Sequence, residues 1–226
     1  MRVISCIVVI AVFLSFTHVY SSVAEEIEIV VDKIQNKYEE ITDFHAKFTQ
    51  EATVKALDKV QKSEGEVWFK KPGKMRWNYY SPEKDEIVSD GRTLWFYDVA
   101  EKQVIESPLA QVSDTQNTTS LLSGLGNIKE VFDASFADQT DLTGNGNYML
   151  ELKPKTGEEQ YNKAIVAFDQ NTMVVNSIYL YDPFGNLTTI SLSNIEIDKG
   201  VQDSLFRFTV PNGVEIVRPP SAISPQ

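Results

Sequence analysis

Cysteine is nearly missing from this sequence of 226 residues, with Cys6 the only one. It lies inside an apolar run, Val3 to Phe16, and not after it, which makes it a poor lipid-attachment site. Met1 and Arg2 precede that run, and the small residues Ser22 and Ala24 follow it, the pattern of a cleaved secretory signal. The expected division is a signal peptide over 1–24, one domain over 25–218 and a loose Pro-rich tail over 219–226. A domain without cysteine excludes a disulfide framework, a thiolate nucleophile and a cysteine-ligated metal.

Other shortages narrow the choice further. Histidine is limited to His18 and His45, so a zinc cluster or a Ser-His-Asp arrangement beyond the signal would rest on His45 alone. Basic residues are outnumbered, 21 against 32 acidic ones, for a net charge of −11. Such a balance opposes binding to phosphate backbones or anionic headgroups and favours solubility. The apolar run of 14 residues is short of the roughly 20 that span a bilayer. No nucleophile elbow, P-loop or dinucleotide fingerprint occurs. The adjacent pairs Glu39-Glu40 and Glu158-Glu159 diverge into solvent in most backbones and make poor acid/base couples. A non-enzymatic protein with no cofactor and no metal is the expectation.

What is present is mostly strand. Ile27, Val30, Val31, Ile34, Tyr38 and Ile41 recur at steps of three and four, predicting an amphipathic helix over Glu25–Ile41. From Phe44 the period becomes two, with Phe44, Ala46 and Phe48 opposite His45, Lys47 and Thr49. Further strands are predicted near 63–70, 74–80, 85–89, 92–98, 102–106, 147–153, 161–169, 173–182, 187–197 and 205–210. Lys71-Pro72-Gly73-Lys74 supplies one turn and Asp90-Gly91 a two-residue hairpin. Hairpin links along about eleven strands imply a mainly antiparallel sheet. Between Ser107 and Ala137 the pattern turns helical, with Gly124 and Gly126 as a joint. A bent sheet needs a cover for one face, and these helices are the available material.

Several strands carry large apolar groups on both faces. Val67 and Phe69 lie opposite Trp68, while Met75, Trp77 and Tyr79 lie opposite Tyr80. Leu94 and Phe96 lie opposite Trp95 and Tyr97. Periodicity leaves two readings open: a core with half-buried aromatics on the other face, or a ligand cavity.

The block Phe69-Lys70-Lys71-Pro72-Gly73-Lys74-Met75-Arg76-Trp77, then Ile87-Val88-Ser89-Asp90-Gly91 and Leu94-Trp95-Phe96-Tyr97-Asp98, resembles the periplasmic outer-membrane lipoprotein carrier family, LolA. Phe44–Gln50 and Phe206–Val214 add weaker pieces. The resemblance implies an incomplete, half-open antiparallel β-barrel capped by a helical lid. It implies binding of the acyl chains of lipoproteins released by an inner-membrane ABC transporter, and delivery to an outer-membrane receptor, LolB. It places Lys71 at the basic position that latches the lid, where arginine is usual, and Met75 where a bulky aromatic is usual. A lysine keeps charge and donors but lacks the planar fork of arginine.

With strand parity, the resemblance nominates Val67, Phe69, Met75, Trp77, Tyr79, Trp95 and Tyr97 as the lipid cavity. Ile34, Leu121, Leu122, Leu125, Ile128, Val131 and Phe132 are nominated as the lid. A monomer without nucleic-acid partners is expected. The competing reading is a non-transporting lipid- or protein-binding sensor on the same half-barrel, because a fold does not fix a function.

Overall fold

The computed structural model describes residues 17–112, 121, 125–138, 146–155 and 163–219. Residues 1–16 of the expected signal, Leu122, Gly124, the Glu158-Glu159 pair and the tail from 220 lie outside the described residues. Twelve described strands form one sheet: β1 (Asp43–Val54), β2 (Lys59–Lys70), β3 (Lys74–Ser81), β4 (Glu86–Asp90), β5 (Thr93–Asp98), β6 (Gln103–Pro108), β7 (Phe132–Phe136), β8 (Asn147–Pro154), β9 (Lys163–Asp169), β10 (Val175–Tyr181), β11 (Leu187–Ile197) and β12 (Glu215–Val217). Their spatial order is β12-β6-β5-β4-β3-β2-β1-β11-β10-β9-β8-β7, with β12 and β7 at opposite edges, so the barrel is incomplete. Every pairing is antiparallel except β12 on β6. The long pair β1–β2 sits centrally and carries irregularities at His45/Lys47 and at Glu64/Gly65, which add twist and bend.

Two strands depart from the expectation of eleven. The apolar pattern predicts helix through residues 132–136, which instead form edge strand β7 against β8. The segment 205–210 makes no ladder: a 3-10 turn covers Asp203–Phe206 and the pairing strand comes later, as β12. The hairpin between β4 and β5 turns on Gly91 and Arg92, one residue later than expected.

Helix α1 spans Thr17–Glu40 and lays its predicted stripe on the inner face of the sheet. Val30, Val31 and Ile34 are buried there, with Ile27 and Tyr38 packed at the flank. Among the described mid-chain residues, α2 covers Leu109–Val112, Leu121 is helical and α3 covers Ile128–Val131. Leu121, Leu125, Ile128 and Phe132 join α1 and the sheet in one continuous buried cluster.

Candidate functional site

Strand register builds the interior row by row. Phe44, Phe69 and Met75 stand side by side across β1, β2 and β3. The next row is Ala46, Val67, Trp77, Ile87 and Phe96. A third row pairs Phe48 with Gly65 and Gly65 with Tyr79. A methyl on Gly65 would lie 2.0 Å from the Asn78 carbonyl oxygen and 2.8 Å from the Phe48 ring, so this glycine is what lets Phe48 fold over β2. Phe48 then meets Trp77 and Tyr79 edge-on, with ring centroids at 4.9 and 5.0 Å. On its other side Phe48 pairs with Leu192 of β11, and the next inner row, Ile190, Ile178, Val166 and Leu150, is fully buried.

Val67, Phe69, Met75, Trp77 and Tyr79 therefore share the inner face, as nominated. Burial, aided by the nearby Asp85 carboxylate, pushes the Tyr79 phenol up to about 12. Trp95 and Tyr97 do not join them. Trp95 pairs with Val88, Val88 with Arg76 and Arg76 with Trp68, a row on the outer face. There Phe208 covers both aromatics, with centroids 5.9 Å from Trp95 and 6.3 Å from Tyr97. The strand alternation was right, but the outer face has its own apolar cover, so size did not tell inside from outside.

Of the nominated lid, Ile34, Leu121, Leu125 and Ile128 are fully buried in the interior and Phe132 nearly so. Val131 is the exception at 40 % exposed, because α3 ends there and turns into β7. Residues the strand reading did not nominate include Phe44 and Phe48, although their alternation was visible, and the buried Ile178, Ile190, Val166 and Leu150 of the second half.

The cover is held by polar contacts at its rim. Lys71 Nζ donates to the carbonyls of Tyr38 at 2.6 Å and Glu39 at 2.9 Å, at the C-terminal end of α1. Those carbonyls have no partner further along the helix, and a cation suits that end of the dipole. Asp198 fastens the same corner by accepting from the Thr42 N–H and hydroxyl, contacts that hold its carboxyl below the usual range. Two turns are stitched beside it: the buried Ser89 hydroxyl donates to the Gly73 carbonyl and accepts from the Gly91 N–H, both at 3.1 Å. Gly91, at φ +96, adopts a conformation that a side chain would strain. Lys129 of α3 reaches Glu28 at 2.9 Å and Asp32 at 2.6 Å on α1, tying the mid-chain cover to the first helix.

A groove of about 870 Å3 runs along the flank of α1, lined by Lys33, Asn36 and Lys37 on one side and Asp169, Thr172 and Val174 on the other. Among the described residues, no group of three or more His, Cys, Asp and Glu converges on a common point. The chemistry on offer is apolar contact under a cover that is not part of the sheet.

Such an arrangement defines a lidded half-barrel with an apolar interior. The sequence matches the family "Outer membrane lipoprotein carrier protein LolA" over residues 39–209, and the chain belongs to that family. It is 32% identical to an outer-membrane lipoprotein carrier protein of Nitrosomonas europaea over 77% of this chain and 82% of the relative. It is 31% identical to one of Legionella pneumophila (strain Lens) over 91% of this chain and 95% of the relative. A crystal structure of an uncharacterized conserved protein from Thermus thermophilus superposes with a TM-score of 0.54 at 12% identity, covering 84% of this chain and 98% of that one. That likeness speaks for the fold alone.

Proposed function

We propose that this protein is a soluble periplasmic chaperone that shields the acyl chains of lipoproteins. In this reading it takes them from an inner-membrane lipoprotein-releasing ABC transporter and yields them to a LolB-like outer-membrane receptor. No covalent reaction is involved. The supporting observation is the covered interior: Phe44, Phe48, Met75 and Trp77 of the sheet are packed with Ile34, Leu121, Leu125 and Ile128, side chains from segments outside the sheet. Membership of the carrier family supports the same reading.

The physical case rests on balance. Each methylene withdrawn from water is worth ~0.8 kcal/mol, so an acylated protein cannot cross an aqueous space unshielded. A carrier must offer comparable burial yet release its guest. The cover meets both demands: its apolar side chains fill the interior when empty, and acyl chains replace them when loaded. Aromatic and methionine side chains suit this exchange, since they give contact area without a rigid outline. Lys71 holds the α1 end of the cover in place while Leu121, Leu125 and Ile128 give way to the cargo.

The test uses purified mature protein, inner-membrane vesicles with the releasing transporter and ATP, and a labelled tri-acylated lipoprotein. A soluble one-to-one complex that gives up its cargo to acceptor membranes is the expected result. No complex, with the transporter active toward its own carrier, would overturn the reading in favour of a sensor that binds without transfer.

A further inference from the structure

Two buried side-chain atoms, His45 Nε2 and Trp77 Nε1, have no hydrogen-bond partner among the described residues. Their settings differ. His45 is on the outer face, stacked on Trp68, and its Nε2 lies 3.8 Å from a Glu66 oxygen, so an acceptor is within a small rotation. Trp77 is 2% exposed on the inner face. Val67 and Ile87 flank it in register, and Phe48 and Phe69 meet its ring edge-on. Two phenols facing this interior are engaged: Tyr79 donates to Gln50 at 3.4 Å and Tyr38 accepts from the Val175 N–H at 3.0 Å.

A dry donor is a cost that an apolar side chain at this position would avoid. The indole N–H is donor only. An acyl chain that enters such an interior brings one polar group, its linking carbonyl, which is acceptor only. Each alone is costly to bury, and together they satisfy one another.

Resting on the carrier reading, we infer that the Trp77 indole N–H donates to the linking carbonyl of a bound acyl chain. The contact sets how far the chain slides along β3 and favours acyl over alkyl chains. Alkyl ethers of equal length bury the same methylenes but offer a weaker acceptor, so they leave the donor poorly satisfied.

The experiment compares a diester-linked lipopeptide with its dialkyl-ether analogue of equal chain length, using mature protein carrying 15N-indole tryptophan. Trp77 is assigned among the three tryptophans by its loss in Trp77→Phe. The ester form should bind about five- to tenfold tighter, the factor expected of one hydrogen bond, and should move the Trp77 indole proton downfield while the ether form does not. In Trp77→Phe the ester-to-ether ratio should fall to about one. A diester phospholipid as a third ligand separates sources: preference for it over its ether analogue generalises the contact to any acyl ester. Equal binding of the two lipopeptides with an unmoved Trp77 resonance would overturn the inference and leave the carrier reading intact. Binding of neither lipopeptide would overturn the carrier reading itself. The ester-to-ether ratio of the parent protein needs no variant, so poor folding of Trp77→Phe would not spoil the test.

Discussion

Lys71 shows how one side chain joins sequence to mechanism. Its position before Pro72 was legible, and its two carbonyl acceptors on α1 were not, because Tyr38 and Glu39 lie more than thirty residues upstream. Lysine reaches both carbonyls with one ammonium, so the arginine fork is not required to hold this corner. Lys71→Ala should cost ~0.5–1 kcal/mol for an exposed charged contact and speed amide exchange at the end of α1, whereas Lys71→Arg should restore both. Asp203 gives a pH handle at the same scale. Hydrogen bonds from Lys70 and then Lys74 hold its carboxyl at about 2, below its ordinary 3.8. Its contribution is complete above about pH 4 and is lost as pH falls from 3.8 toward 2. The stability difference between the parent and Asp203→Asn, measured by denaturant titration, should shrink over that window and weaken at high salt. Gly65 carries no signal of its role in the sequence, since a glycine within a strand pattern says nothing of the ring that will cross it.

The helical elements differ in how they are held. α1 is anchored along its length by Val30, Val31 and Ile34, and at its end by Lys71 and Asp198. Among the described residues of the mid-chain cover, α3 has only four residues, too few for intrinsic helical stability, so its order comes from packing. Leu125 and Ile128 supply that packing, and the Lys129 pairs with Glu28 and Asp32 add only a screened surface contact. The double change Leu125→Glu with Ile128→Glu removes burial worth roughly 3–6 kcal/mol from the cover and none from the sheet. Cargo uptake should be lost while the far-ultraviolet signature of the sheet persists; retained uptake would contradict the movable cover. The helical period of this segment was readable from its leucines. Its end was not: Phe132 continues the apolar pattern but is drawn into β7 by pairing with β8.

At the scale of the molecule, the sheet has two apolar faces with separate covers. The inner one takes α1 and the mid-chain segment, and the outer one takes the C-terminal stretch. Phe206 is buried there, Phe208 lies against Trp95 and Tyr97, and Arg76 donates to the Leu205 carbonyl at 3.0 Å. Phe206→Ala should therefore destabilise the protein by about 3–5 kcal/mol in chemical denaturation, yet leave the stoichiometry of any cargo complex unchanged. That split separates structural burial on the outer face from the inner burial that cargo is proposed to replace.

The sequence alone determined what short-range physics controls. The α1 stripe, the alternation of Phe44, Ala46 and Phe48, and the turns at Pro72-Gly73 and Gly91 all depend on neighbours a few residues apart. So does the grouping of Val67 and Phe69, and of Met75, Trp77 and Tyr79. Which face was inside depended on contacts across the chain. Alternation sorts a strand into two sets without naming the buried one, and here both sets are large and apolar. Trp95 and Tyr97 went outward because Phe208, over a hundred residues later, provides their cover. β12 exists because Glu215–Val217 finds the free edge of β6, a pairing that no local pattern of three residues could announce.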